Sequence, residues 1–265
     1  MEELGTVRPV AMVTGALGGI GRACALGLAR AGFNLLVNDR PTIGASDCTE
    51  LFAQELAAEG AQSAFVLGDV TGLELHQEMI ATALARWGRI DCLVNNAGVS
   101  VMERGDLLNV TAESFDRCVA VNTRAVFFLS QAVARQMLAS SGEPGVHRSI
   151  INMTSSNVTA VSISRGEYCV SKAASSMTTK LFGLRLAAAG IGVYEVRPGL
   201  IATEMTLPHK ANYDQLIEQT GLIPAERWGQ PEDVANVVVS MAEGRLAYTV
   251  GQAVAVDGGM VMPRF

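Results

Sequence analysis

From Val7 onward the chain alternates short apolar runs with longer amphipathic stretches, and this alternation restricts the fold more than any single residue does. A short apolar run followed by a helix-length amphipathic stretch is one βα unit, and a series of them builds a parallel sheet covered by helices. The runs predict strands at 9–14, 34–38, 63–67, 91–95, 148–153, 191–197 and 251–256. Helices are expected at 20–31, 48–58, 73–87, 113–139, 167–189 and 231–242, with a loop-plus-helix insert across 202–227. Runs such as AMV and SIINM lack polar alternation, as strands buried on both faces do. The expected fold is α/β: a doubly wound, Rossmann-like, mostly parallel seven-stranded sheet with helices on both faces. With 265 residues, 49% of them hydrophobic, the chain can bury such a core as a single domain over 1–265. No linker, low-complexity tract or further internal repeat interrupts the pattern.

Charge and composition narrow the partners. The net charge of −6 disfavours nucleic acid and anionic membrane, both of which repel an acidic protein. No apolar run reaches the length of a membrane span: residues 118–129 are broken by Asn122, Thr123 and Arg124. The opening MEELGTVRP is acidic without an apolar core, unlike a secretory signal. The five cysteines (24, 48, 92, 118, 169) are scattered and contain no CxxC pair, which reads as reduced thiols and a cytoplasmic location. Three separated histidines point to no metal site.

Two local patterns carry chemistry. The first strand runs into Thr14-Gly15-Ala16-Leu17-Gly18-Gly19-Ile20-Gly21 and then a helix, so the backbone can approach a pyrophosphate at a helix N-terminus. The spacing, G-x-x-x-G-x-G, departs from G-x-G-x-x-G, and a tight strand-to-helix turn would use the same residues. The second strand ends in Asp39, eighteen residues past Gly21. A carboxylate there accepts ribose hydroxyls and repels a 2′-phosphate, favouring NAD; the neighbouring Arg40 keeps NADP open. The second pattern is Tyr168-x-x-x-Lys172, which on a helix stacks a phenol and an ammonium on one face. A nearby cation lowers a phenol pKa of about 10 by roughly one to three, bringing proton transfer towards neutral pH. Taken alone, YxxxK also describes an ordinary exposed helix.

Read together, TGALGGIG, Asn95-Asn96-Ala97-Gly98, Ser155, Tyr168-x-x-x-Lys172 and Pro198-Gly199 resemble, in this order and over nearly the whole chain, the short-chain dehydrogenase/reductase superfamily. Within it the sequence is similar to bacterial proteins of the 3-oxoacyl-[acyl-carrier-protein] reductase type. The resemblance implies an NAD(P)-dependent oxidoreductase acting on a hydroxyl or carbonyl, with Asn122, Ser155, Tyr168 and Lys172 as catalytic residues. Ser155, thirteen residues before Tyr168, would hydrogen-bond the substrate oxygen and Tyr168 would transfer the proton. Lys172 would depress the phenol pKa and bind the nicotinamide ribose, and Asn122 would hold a water linking Lys172 to solvent. An oxidised nicotinamide is cationic, so Tyr168 would lie between two positive charges. Gly15, Leu17, Gly19, Ile20, Gly21, Asp39, Asp69, Val70, Asn96, Ile201 and Thr203 are the further implied cofactor contacts. Asp69 would meet the adenine amino group, and Ile201 and Thr203 the carboxamide. By themselves Asp69 also suits a loop or helix cap before Thr71, and Asn122 a helix irregularity.

The substrate-selecting segments are expected at 99–110, 157–167 and 202–227, with Ser155, Asn157, Arg165 and Tyr168 as candidate substrate contacts. Arg165 could meet an anion or hydroxyl, or serve as a capping or surface residue. An acidic carrier protein needs a basic docking surface. Yet 139–148 reads ASSGEPGVHR, and 202–227 carries Glu204, Asp214, Glu218 and Glu226 against Lys210 and Arg227. A small polar alcohol or sugar is therefore favoured over a 3-oxoacyl thioester, and a non-catalytic NAD-binding sensor or structural subunit is the remote alternative. The long apolar helices 113–139 and 167–189, which the family packs between subunits, imply a homotetramer.

Overall fold

The protein is described by a computed structural model covering residues 8–41 and 45–263. The acidic opening before Arg8 lies outside the described residues. In chain order the main elements are β1 (Val10–Thr14), α1 (Gly19–Arg30), β2 (Asn34–Asp39), α2 (Ala45–Ala58), β3 (Ser63–Leu67), α3 (Leu73–Trp87) and β4 (Cys92–Asn95). Then come α4 (Ala112–Val119), a π-helical turn (Ala120–Ala125), α5 (Val126–Ala139), β5 (Arg148–Met153) and α6 (Gly166–Leu186). Finally come β6 (Ile191–Pro198), α7 (Lys210–Thr220), α8 (Pro231–Ala242) and β7 (Ala253–Val256).

The sheet has the order β3-β2-β1-β4-β5-β6-β7, and every pairing is parallel, not merely most of them. The chain builds outward from β1 to β3, then crosses back to lay β4 on the other side of β1. The crevice beyond the carboxyl ends of β1 and β4 is therefore the switch point at which such sheets bind ligands.

Alternate residues of each strand feed opposite faces. Val13, Leu35, Val37, Val94, Ile151 and Val196 pack with α1, α2 and α8. Met12, Leu36, Leu93, Ile150 and Val193 pack with α3, α5 and the end of α6. Both faces are dry, which explains why the strands read as unbroken apolar runs. A third small cluster, Leu200, Ile217 and Ile223 with Tyr213 and Trp228, seats α7 on the segment after β6.

The expected boundaries at 63–67, 148–153, 73–87 and 231–242 coincide with β3, β5, α3 and α8. β7 starts at Ala253 rather than 251, because Gly251 takes a left-handed φ of 65° that no strand residue adopts. The helix expected at 167–189 tightens into a 3₁₀ turn at Ala187–Ala189. The largest departure is the single helix expected at 113–139: the structure inserts the π turn at Ala120–Ala125. Its cause lies outside the helix. Asn122, fully buried, accepts from the Val99 amide at 2.9 Å and donates to the Val99 carbonyl at 3.0 Å, joining the helix to the loop after β4.

Candidate active site

The glycine turn is built by close approach. Gly15 has a φ of 63°, and a Cβ on Gly21 would run into the Gly15 carbonyl and the Asn96 amide, so α1 can pass this close to the turn only with glycine there. Asn96 donates its side-chain amide to the Thr14 and Gly15 carbonyls, each at 2.9 Å, while Thr14 Oγ1 accepts from the Asn96 and Ala97 amides at 3.0 Å. That amide is thus engaged in holding the turn. Gly18 faces open space, and α1 begins with no side-chain cap and no acid in its first turn, leaving its leading amides directed into the crevice.

Asp39, at the end of β2, accepts from the Leu17 amide at 2.9 Å and the Arg40 amide at 2.8 Å, which fixes its carboxylate against the turn. A cavity of about 110 Å³ opens beside it, lined among others by Gly15, Asp39, Arg40, Asp69, Val70 and Val121. Asp69 Oδ1 accepts from the Thr71 amide at 2.9 Å and the Thr71 hydroxyl at 2.8 Å. The Thr71 amide is the main reason that its pKa lies below the usual carboxylate range. Asp69 therefore both caps its own loop and faces the cavity. Thr203 lies over the turn, its methyl 3.3 Å from where a Gly19 Cβ would stand. Thr206 accepts from the Thr203 amide at 3.0 Å and donates to the Ile201 carbonyl at 2.7 Å, bracing that segment.

Ser155 follows β5 and is buried; its Oγ accepts from the Asn157 amide at 3.1 Å, and its hydroxyl acts to lower the pKa of the Tyr168 phenol. Tyr168 and Lys172 stand one turn apart on α6, with Lys172 Nζ 5.8 Å from the centre of the Tyr168 ring. Nζ donates to the Met153 carbonyl at 2.9 Å, and burial brings its pKa down to about 8. A Cβ on Gly98 would lie 3.2 Å from Asn122 Oδ1 and 3.3 Å from Lys172 Nζ, so this glycine is what lets the two approach. Asn122 also donates to Ser171 Oγ at 2.9 Å, tying the π turn to α6. The structure thus brings Asn122, Ser155, Tyr168 and Lys172 to one place.

Burial pushes the Tyr168 pKa up, and the Ser155 hydroxyl and then the Arg165 guanidinium pull it back. Arg165 and Lys172 each stand 5.8 Å from the ring centre, and Lys172 directs its ammonium at the Met153 carbonyl. Asn157 donates a side-chain N–H to the Ala160 carbonyl at 2.8 Å, which braces its own loop. A larger hollow of about 570 Å³ lies behind the Pro198–Thr203 segment, walled by residues such as Leu200, Ile223, Val256 and Met262. None of Ser155, Tyr168 or Lys172 lines it, so size does not mark the chemistry here.

Residues 15–261 match the sequence family described as enoyl-(acyl carrier protein) reductase. A 3-oxoacyl-[acyl-carrier-protein] reductase of Staphylococcus epidermidis is 35% identical over 95% of this chain and 98% of its own. The chain belongs to the short-chain dehydrogenase/reductase family. Among solved structures, a 3-oxoacyl-[acyl-carrier protein] reductase from Brucella melitensis in complex with NAD is similar at TM-score 0.92 and 41% identity, covering 97% of this chain and 99% of that one. A gluconate 5-dehydrogenase from Burkholderia cenocepacia in complex with NADP and tartrate is similar at TM-score 0.85 and 31% identity, over 97% and 96%. As a short-chain dehydrogenase/reductase the protein is an oxidoreductase that interconverts hydroxyl and carbonyl groups with a nicotinamide cofactor. Its own residues fit that cofactor: Gly18 leaves open space before uncapped helix amides, and the Asp39 carboxylate stands at the adjoining cavity.

Reading the sequence missed one part of this short-chain dehydrogenase/reductase site. Glu195, wholly buried in the middle of β6, accepts from Thr154 Oγ1 at 2.7 Å, Ser176 Oγ at 2.7 Å and Arg197 Nε at 2.6 Å. The signal was available: IGVYEVR places a glutamate at an inward position of a central strand, two residues before an arginine.

Proposed function

We propose that this protein is an NAD-preferring dehydrogenase/reductase of a small polar secondary alcohol or sugar. The observation that carries the reading is the meeting of Ser155, Tyr168, Lys172 and Asn122 beside the glycine turn and Asp39. The Ser155 hydroxyl, which acts on the Tyr168 phenol, orients the substrate oxygen, and Tyr168 gives or takes its proton. Lys172 binds the ribose hydroxyls and moves protons towards solvent past Asn122. The nicotinamide, when bound, supplies the hydride chemistry. The chain fixes the geometry in which that chemistry becomes unimolecular, through Asp39, Asp69, Val70 and Asn96 at one end and the Ile201–Thr203 segment at the other.

Asp39 supports NAD over NADP, because its carboxylate is fixed where a 2′-phosphate would be repelled. Asp39→Ala should raise kcat/KM with NADP relative to NAD; an unchanged ratio would overturn the preference.

The polar-substrate reading is supported by the 202–227 segment, whose two bases are taken by acids. Lys210 pairs with Asp214 at 2.6 Å and Arg227 with Asp233 at 2.7 Å, which leaves that segment little positive potential for an acidic carrier. Arg165, beside Tyr168, suits a substrate hydroxyl or anion. The second reading, reduction of a 3-oxoacyl thioester, is favoured by the names of the Staphylococcus and Brucella relatives. Turnover of polyols, sugar acids and 3-oxoacyl thioesters with each cofactor separates them. Preference for a polyol or sugar acid supports the first reading, preference for the thioester the second. NADH binding without turnover of any would favour a sensor.

Assembly as a homotetramer and a cytoplasmic location complete the reading. Val170, Met177, Leu181 and Leu184 form one exposed apolar stripe along α6, spaced as a helix-packing seam. All five cysteines are free.

A further inference from the structure

A carboxylate buried in the middle of a central strand needs a reason, because removing a charge from water is costly unless it is paired and hydrogen-bonded. Glu195 has that pairing, and the partners come from the elements that carry the reacting groups. Thr154, which donates to Oε1, immediately precedes Ser155; its amide also donates to the Val196 carbonyl at 2.9 Å. Ser176, which donates to Oε2, is the next turn of α6 after Lys172. Arg197 donates Nε to Glu195 at 2.6 Å and Nη2 to Ser176 at 3.0 Å, closing the network.

We propose that Glu195 is a positioning residue: its carboxylate clamps the Ser155 end of β5 to the α6 turn beyond Lys172. This rests on the reading of Ser155, Tyr168 and Lys172 as the reacting group. An apolar residue at 195 would satisfy the sheet equally well, as Val193 does two positions earlier. What it would lose is the bridge. Two hydrogen bonds to Glu195, from Thr154 after β5 and Ser176 on α6, hold Ser155 and Lys172 in fixed register, and orientation of this kind governs reaction rate more than binding.

The charge has its own consequence. The titratable groups facing Lys172 are Tyr168 on its own helix, Cys118 on α4 and Glu195 on β6, the last with Arg197 attached. Burial lowers the Lys172 pKa, and Cys118 and then Glu195 act against that lowering.

The chain contains three lysines, Lys172, Lys180 and Lys210, so carbon-13 labelling of lysine Cε gives three NMR signals. Arginine substitution at 180 and 210 assigns them. In the wild type the Lys172 signal should titrate near 8. In Glu195→Gln, which keeps the shape and loses the charge, it should titrate lower, while Glu195→Asp should stay closer to the wild type. With a substrate in hand, kcat of Glu195→Gln should fall about ten-fold, the change that one pKa unit of interaction carries, with KM nearly unchanged. An unmoved Lys172 titration in Glu195→Gln would overturn the charge role. If that variant does not fold, Thr154→Val keeps the charge and removes one arm of the clamp. It should lower kcat while Lys172 still titrates near 8; an unchanged kcat would overturn the positioning role. The lysine titration needs no substrate, so failure to find turnover would count against the proposed function and leave this result standing.

Discussion

Lys172 is held inside the protein at a cost. Burial lowers its pKa from 10.5 to about 8, a displacement worth roughly 3 kcal/mol at neutral pH. Below pH 8 both the folded and unfolded chains carry the proton, and the folded state bears the full penalty. Between 8 and 10.5 the folded protein has released it and the unfolded chain has not, so stability rises with pH across that window. Lys172→Met should therefore be inactive, and its stability relative to the wild type should decline as the pH goes from 8 to 10.5 in urea unfolding. A difference that does not vary with pH would contradict the buried charge. Tyr168 supplies a second prediction. Burial raises its pKa and Arg165 lowers it, so the phenol is protonated near neutral pH and alcohol oxidation should accelerate as the pH rises. Arg165→Ala removes the lowering cation and should move that limb of the kcat/KM profile to higher pH; a shift the other way would exclude the assignment. Tyr168→Phe should keep NADH binding and lose turnover by a factor of about 10² or more.

At the level of elements, the site is made where helices meet strand ends. The β1–α1 junction depends on Gly21, whose Cβ would meet the Gly15 carbonyl and the Asn96 amide. Gly21→Ala should separate α1 from the turn and abolish NADH binding by calorimetry while far-ultraviolet circular dichroism stays close to wild type. Retained binding would show that the turn can give way. This junction was legible in the sequence, because a glycine-rich turn between an apolar strand and a helix has few other uses, and so was the one-turn spacing of Tyr168 and Lys172. The π turn around Asn122 was not. VAVNTRAVFF is compatible with regular helix, and the extra residue is accommodated because Asn122 bonds a loop some twenty positions earlier. Glu195 was equally hidden: the acid is plain in the strand, but Thr154, Ser176 and Arg197 become its partners only once β5, β6 and α6 are assembled.

For the whole molecule, the apolar stripe on α6 calls for a partner. Leu184 is 83% exposed, and burying such a side chain is worth about 1.5–3 kcal/mol. Leu184→Glu should lower the oligomer mass measured by light scattering without altering the folded core, whereas a wild-type mass equal to one chain would refute the tetramer. The sequence by itself determined the seven-stranded doubly wound sheet, the glycine turn between β1 and α1 and the one-turn spacing of Tyr168 and Lys172. These follow from periodicity and short-range spacing, and the backbone turns such patterns into structure without help from distant residues. Only the tertiary structure decided that Arg165 and Lys172 both stand over the phenol, that Glu195 gathers Thr154, Ser176 and Arg197, and that the Asn96 side-chain amide holds the glycine turn. Electrostatics and hydrogen bonding act across a few ångströms of space, and the residues that come that close are separated in the chain by tens of positions.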